Sequence, residues 1–118
     1  MNTELLQLIF PLGLLDYFEV ESYEDTAMEI VFTMREKNLP PVGYAQVDLE
    51  SKGFYQGGDI TDFPLRGKRC VYKIKRRKWI VKQSQKVITR DWNIVAKGTR
   101  TTEEFASFLK ELNRQYTS

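Results

Sequence analysis

Histidine is absent from this sequence, and cysteine occurs once, at Cys70. No disulfide can therefore close within the chain, and a zinc site of the Cys/His kind is excluded. So are a His-based triad and a histidine general base. Cys70 occupies an apolar strand position with no imidazole to activate it, so it reads as a small buried hydrophobe rather than a nucleophile. A lone thiol fits a reducing cytoplasm. The first twenty residues, "MNTELLQLIFPLGLLDYFEV", carry no Lys or Arg, and acids interrupt their apolar runs. Neither a signal peptide nor a membrane span is expected, and the chain reads as a soluble cytoplasmic protein.

Motifs of common enzyme classes are missing too. There is no nucleophile elbow, phosphate loop, dinucleotide fingerprint or clustered set of metal ligands. Asp59 and Asp62 in "GDITDF" lie between turn signals, where Asp commonly bonds its own backbone, and two carboxylates fall short of a hard-cation site. The expectation is a non-enzyme with no metal and no cofactor.

Charge is plentiful and unevenly placed. The formal net charge is +2. Residues 1–65 hold three bases (Arg35, Lys37, Lys52) against twelve acids, a balance of −9. Residues 66–118 hold fifteen bases against four acids, a balance of +11. The stretch "RGKRCVYKIKRRKWIVKQSQKVITRDW", from Arg66 to Trp92, contains eleven bases and one acid, Asp91. Such asymmetry points either to a polyanion-binding half or to a solvated basic face matched by the acidic half. Alternate side chains on a strand stand about 6–7 Å apart, close to the spacing of successive phosphates. Lys73, Lys75 and Arg77 share one strand face, with Arg66, Lys68 and Arg69 at the turn before it and Arg76 and Lys78 at a suspected bulge. These eight are the candidate DNA contacts. Trp79 and Trp92 are more readily core residues than stacking platforms.

At 118 residues, 42% hydrophobic and 29% charged, the chain suits one compact domain, residues 1–118. It divides into an acidic hairpin-containing half (1–65), a basic strand-turn-strand (66–100) and a C-terminal helix (101–118). Asn2 or Thr3 can cap a short helix bearing Leu5, Leu6, Leu8 and Ile9, which Pro11 and Gly13 end. "LLDYFEVESY" and "AMEIVFTMRE" alternate with period two around "EDT", as a β-hairpin does. In the first of these, Tyr17, Glu19, Glu21 and Tyr23 oppose Phe18, Val20 and Ser22. "NLPPVGY" reads as a loop and "QGG" as a turn. Cys70, Tyr72 and Ile74 mark the clearest strand, with its alternation broken at Arg76-Arg77-Lys78. "VITRDWNIV" can return antiparallel to it. Thr101 and Glu104 offer a capping box for a helix with Phe105, Phe108, Leu109, Leu112 and Tyr116 on one stripe. The expected fold class is α+β: a small antiparallel sheet of about four to six strands with a short N-terminal helix and a C-terminal helix. The stripe of Phe105, Phe108, Leu109 and Leu112 either caps its own sheet or docks a partner.

"IFPLGLLDYFEV", "DFPLRGKRC", "KIKRRKW", "TRDW" and "AKGTRTTEEFASFLKEL" together resemble the N-terminal region of bacterial insertion-sequence transposases of the ISAon group, which is similar to the larger IS-L-three group. The resemblance runs along the whole chain. It implies recognition of terminal inverted repeats in DNA by this part, with a separate DDE catalytic protein performing strand transfer. It makes Asp62-Phe63-Pro64 a turn motif, Gly67 the hairpin glycine, and Lys73, Lys75, Arg76, Arg77 and Lys78 the basic strand. Where relatives carry a zinc knob, this chain has "WIVKQSQKVITRDW", so packing of Trp79, Val81, Val87 and Trp92 would have to replace the metal. The alternative is a protein-interaction module that docks a catalytic transposase subunit or another acidic partner. A homodimer is compatible with either.

The first testable expectation follows from the ligand shortage. Purified protein should contain no stoichiometric zinc, and excess chelator should leave its melting temperature unchanged. Bound zinc, or a chelator-lowered melting point, would refute it.

Overall fold

The computed structural model describes Leu5 and residues 8–11, 13–92 and 103–116. Its elements are α1 (Leu14–Tyr17), β1 (Phe18–Asp25), β2 (Glu29–Glu36), a single 3-10 turn (Gln46–Asp48), β3 (Leu49–Leu65), β4 (Lys68–Val81), β5 (Lys86–Ile88) and α2 (Glu103–Tyr116). The architecture is α+β, as expected. The anticipated first helix and the Thr101 cap fall largely outside the described residues; Leu5 is helical, and a further short helix, α1, follows Gly13.

β1 and β2 form the expected hairpin. Thr26 closes it: its hydroxyl accepts from the backbone N–H of Glu29 at 3.1 Å and donates to the Glu29 carbonyl at 3.0 Å. A bulge interrupts β1 between Val20 and Ser22, leaving Glu21 as the extra residue. An extra residue reverses the alternation beyond it. Tyr23 therefore stands opposite Phe32 and joins the face of Phe18 and Val20, contrary to the uninterrupted pattern.

The sheet has five strands in the order β1-β2-β4-β3, with β5 also on β4. It is mixed rather than wholly antiparallel, because β4 lies parallel to β2, with Arg69–Lys75 beside Glu29–Arg35. From β2 the chain passes beyond the place of β4, descends as the edge strand β3, and returns through a tight hairpin into the gap. Leu65 pairs with Lys68, and the two intervening residues, Arg66 (φ 51°) and Gly67 (φ 77°), are both left-handed. That is a type I′ turn, whose twist matches the strands it joins. Gly67 is thus a hairpin glycine, but Asp62 and Pro64 are not in the turn.

β4 runs unbroken through Arg76-Arg77-Lys78. The irregularities lie on its partner. β3 carries an extra residue between Ser51 and Phe54, between Gln56 and Asp59, and between Asp62 and Leu65. The "QGG" and "DFP" signals read as turns are therefore bulges, because a long antiparallel partner keeps the chain extended through its Gly and Pro residues. Bulges and a proline on an edge strand also obstruct pairing with another sheet.

One face of the sheet is covered. Phe18, Phe32, Met34, Ile60, Cys70, Tyr72, Ile74 and Trp92 meet Phe108, Leu109 and Leu112 of α2 and Phe10 and Leu14 near the N-terminus. Phe18 stacks on Trp92 at 5.2 Å between ring centroids. Cys70 is buried as a free thiol, and burial pushes its pKa up. Trp79 and Trp92 are both buried, whereas Val87 is 46% exposed and takes no part in the core.

Two buried charges hold one end of the sheet. The Glu36 carboxylate accepts from Arg90 Nε at 3.1 Å and from the Arg77 backbone N–H at 3.0 Å. Burial pushes the Glu36 carboxyl above its ordinary value, and the Arg77 N–H and Arg90 guanidinium pull it back. Arg90 also donates to the Leu39 carbonyl and lies 5.2–5.9 Å from the rings of Tyr17, Trp79 and Trp92. Removing one partner of a buried pair strands the other, so Arg90→Ala should cost about 3–5 kcal/mol in chemical denaturation. Replacing both, as in Glu36→Leu/Arg90→Met, should cost much less. A single and a double replacement of equal cost would show that the pair is unimportant.

Candidate nucleic-acid interface

The structure gives the eight candidate cations different occupations. On β4, Lys75 bonds Glu21 of β1 at 2.7 Å, reaching across β2. Lys68 bonds Asp25 at 2.5 Å. Arg77 donates to the Glu36 carbonyl at 3.1 Å and to Ser51 Oγ at 2.6 Å, and its guanidinium lies 4.7 Å from the Phe54 ring centroid. Arg76 is half-buried and donates to Thr89 and to the Arg90 carbonyl. Lys78 covers the Tyr55 ring at 4.5 Å. Arg66, Arg69 and Lys73 are exposed and take part in no ion pair among the described residues.

The residues grouped on one face by alternation, Lys73, Lys75 and Arg77, are therefore not equivalent. Lys73 is exposed and takes part in no ion pair among the described residues, Lys75 is neutralised by Glu21, and Arg77 helps to hold the end of β2. Parity also places Trp79 with them, yet it is fully buried, with its indole N–H bonded to Asn38 at 2.9 Å. The cause is the last residue of β2 and the segment after it, residues 36–39, which folds against the end of β4 and is anchored there by Arg77, Trp79 and Arg90.

Acidic and basic halves interleave on the uncovered face. Arg35 bonds Glu19 at 2.6 Å and approaches Glu21 at 3.9 Å. In the ladder Arg69 stands beside Glu29 and Lys73 beside Asp59. The charge split along the sequence is thus largely folded together in space, leaving the β3–β4 turn and neighbouring β4 residues as the open cations. Lys82 and Lys86, in and after the β4–β5 turn, are exposed as well. Alternation along one strand face does not reach them; the excess of Lys over acids in "KQSQK" is the sequence signal that marks them.

Phe108, Leu109 and Leu112 pack into their own core at no more than 4% exposure, so the helix stripe serves the sheet it covers. The side chain of Phe105 lies outside the described residues. A groove of about 860 Å³ runs between β3 and α2, lined in part by Asp59, Asp62, Tyr72, Ser107 and Glu111. Asp62 accepts from the Tyr72 hydroxyl at 2.8 Å, so its carboxylate ties β3 to β4. Burial and this bond push the Tyr72 pKa far upward. Among the described residues, no three His, Cys, Asp or Glu side chains are grouped to hold a metal ion. Among the same residues, no helix is long and apolar enough to cross a membrane.

The unequal roles on β4 give a direct comparison. Lys73→Gln should change stability by less than about 0.5 kcal/mol, as at other exposed sites. Arg77→Gln should destabilise by about 1–3 kcal/mol, because it leaves the Glu36 carbonyl short of a charged donor. Equal denaturation midpoints for the two variants would contradict this assignment. No protein-family model, curated protein or solved structure matches the chain.

Proposed function

We propose that this chain is a non-catalytic, cytoplasmic DNA-binding accessory domain of an insertion-sequence transposase. It would engage terminal inverted repeats beside a separate DDE catalytic protein. The observation that carries the DNA-binding reading is the trio Arg66, Arg69 and Lys73, exposed on one hairpin and in no ion pair among the described residues. Contacts of this kind position a protein on the phosphate backbone and carry no base preference themselves. The transposase assignment rests on the sequence resemblance.

A second reading, a module that docks a protein partner, is favoured by a different feature. Leu39, Val42, Tyr44 and Val47 are all exposed in the loop before β3, with Val42 at 76% and Val47 at 73%. Exposed apolar residues grouped in one segment mark protein contacts more often than isolated ones do.

Fluorescence anisotropy with a labelled mixed-sequence duplex separates the readings. Wild-type affinity should fall steeply with salt, and Arg66→Gln/Arg69→Gln/Lys73→Gln should lower the slope of log affinity against log salt by up to about 3, near 0.9 per phosphate contact. Absence of binding at low salt, or an unchanged slope, would refute the DNA reading. A DDE transposase in the adjacent reading frame would support the assignment to that system, and its absence would count against it.

A further inference from the structure

We infer that the acidic strand β1 is a built-in competitor for phosphate, occupying cations of β4 that nucleic acid would otherwise engage. This inference rests on the DNA-binding reading. Arg35 and Lys75 are neighbours in the parallel β2–β4 register, so two like charges sit one strand spacing apart. Adjacent strands lie about 4.8 Å apart, and that juxtaposition is unfavourable without a counter-ion. Glu21 supplies it, 2.7 Å from Lys75 and 3.9 Å from Arg35. Glu21 is also the extra residue of the β1 bulge. Bulges re-aim side chains, so the irregularity and the ion pair have one explanation: the bulge presents this carboxylate to the cations of the inner strands. At the other end of the same strand, Asp25 holds Lys68 beside the β3–β4 turn.

The pairs are accessible to solvent: the side chains of Lys75 and Glu21 are 27% and 30% exposed, and those of Lys68 and Asp25 are 35% and 51% exposed. Such pairs are weak and exchangeable, so a phosphate can displace the carboxylate. The acidic strand then acts as a threshold. It weakens attachment to any polyanion and leaves Arg66, Arg69 and Lys73 as the first contacts, with Lys68 and Lys75 engaged only by a ligand that stays long enough to exchange.

The test compares duplex affinity for the wild type, for Glu21→Gln/Asp25→Asn, and for a charge-matched control, Glu24→Gln/Glu50→Gln. Glu24 and Glu50 are exposed acids that take part in no ion pair among the described residues. Each released pair is worth about two- to fivefold, so E21Q/D25N should bind about tenfold tighter than wild type. Its salt slope should steepen by nearly two units, at about 0.9 per added phosphate contact. The control should gain clearly less on both measures. Adding Lys75→Gln to E21Q/D25N should remove about half of the logarithmic gain, and thermal melts establish that each variant is folded. Equal gains in the paired and control variants, or no gain in either, would overturn the inference while leaving wild-type DNA binding intact. At a salt concentration where wild-type binding is lost, binding retained by E21Q/D25N would support the inference. No binding by either protein would overturn both.

Discussion

The Glu36–Arg90 pair is the point on which the rest of the structure turns. It joins the last residue of β2 to the segment following β5, and the Arg77 N–H brings β4 to the same carboxylate. Arg90 is enclosed by Tyr17, Trp79 and Trp92, so its guanidinium is both paired and packed. A buried pair of this kind adds little net stability over a well-packed apolar substitute, but breaking it is costly. Its consequence here is geometric. Residues 36–39 are tied to the end of β4, and from that tie the chain goes on to β3 at the far edge, leaving the middle of the sheet for β4.

That placement decides the electrostatics. A central β4 puts the most basic strand one position from β2 and two from the acidic β1, so long side chains can reach across the intervening strand. Lys75 does so to Glu21, and Arg35 links Glu21 with Glu19. Charges separated widely in the sequence become neighbours on one face, and the net field there is far weaker than the composition suggests. Arg66 at the hairpin turn and Arg69 and Lys73 on β4 stay exposed and take part in no ion pair among the described residues.

The opposite face shows the usual logic of a two-layer domain. The sheet buries its apolar side under α2, and the aromatic residues Phe18, Tyr72, Trp92 and Phe108 form a connected set across the layers. The described part of the α2 stripe, Phe108, Leu109 and Leu112, is consumed by this contact. Apolar side chains stay open in the loop before β3, and also at Leu8 and at Met28 in the β1–β2 turn.

Local chemistry made several features readable in advance. Alternation marked the β1–β2 hairpin and the buried Cys70-Tyr72-Ile74 face, Arg66-Gly67 lay at a turn, and a 3.6-residue period gave the C-terminal helix, because each depends on neighbours within a few residues. The bulges of β3 were not legible: Gly57-Gly58 and Pro64 carry the same local signal whether the chain turns or merely kinks, and only pairing with a long partner decides between them. The strand order was equally closed to inspection, since no local pattern distinguishes a central basic strand from an edge one. The candidate site inherits that limit. Its residue types were plain in the sequence, but which cations are buried, paired or open depended on which strand came to lie beside which, and Coulombic pairing acts through distance in space rather than position along the chain.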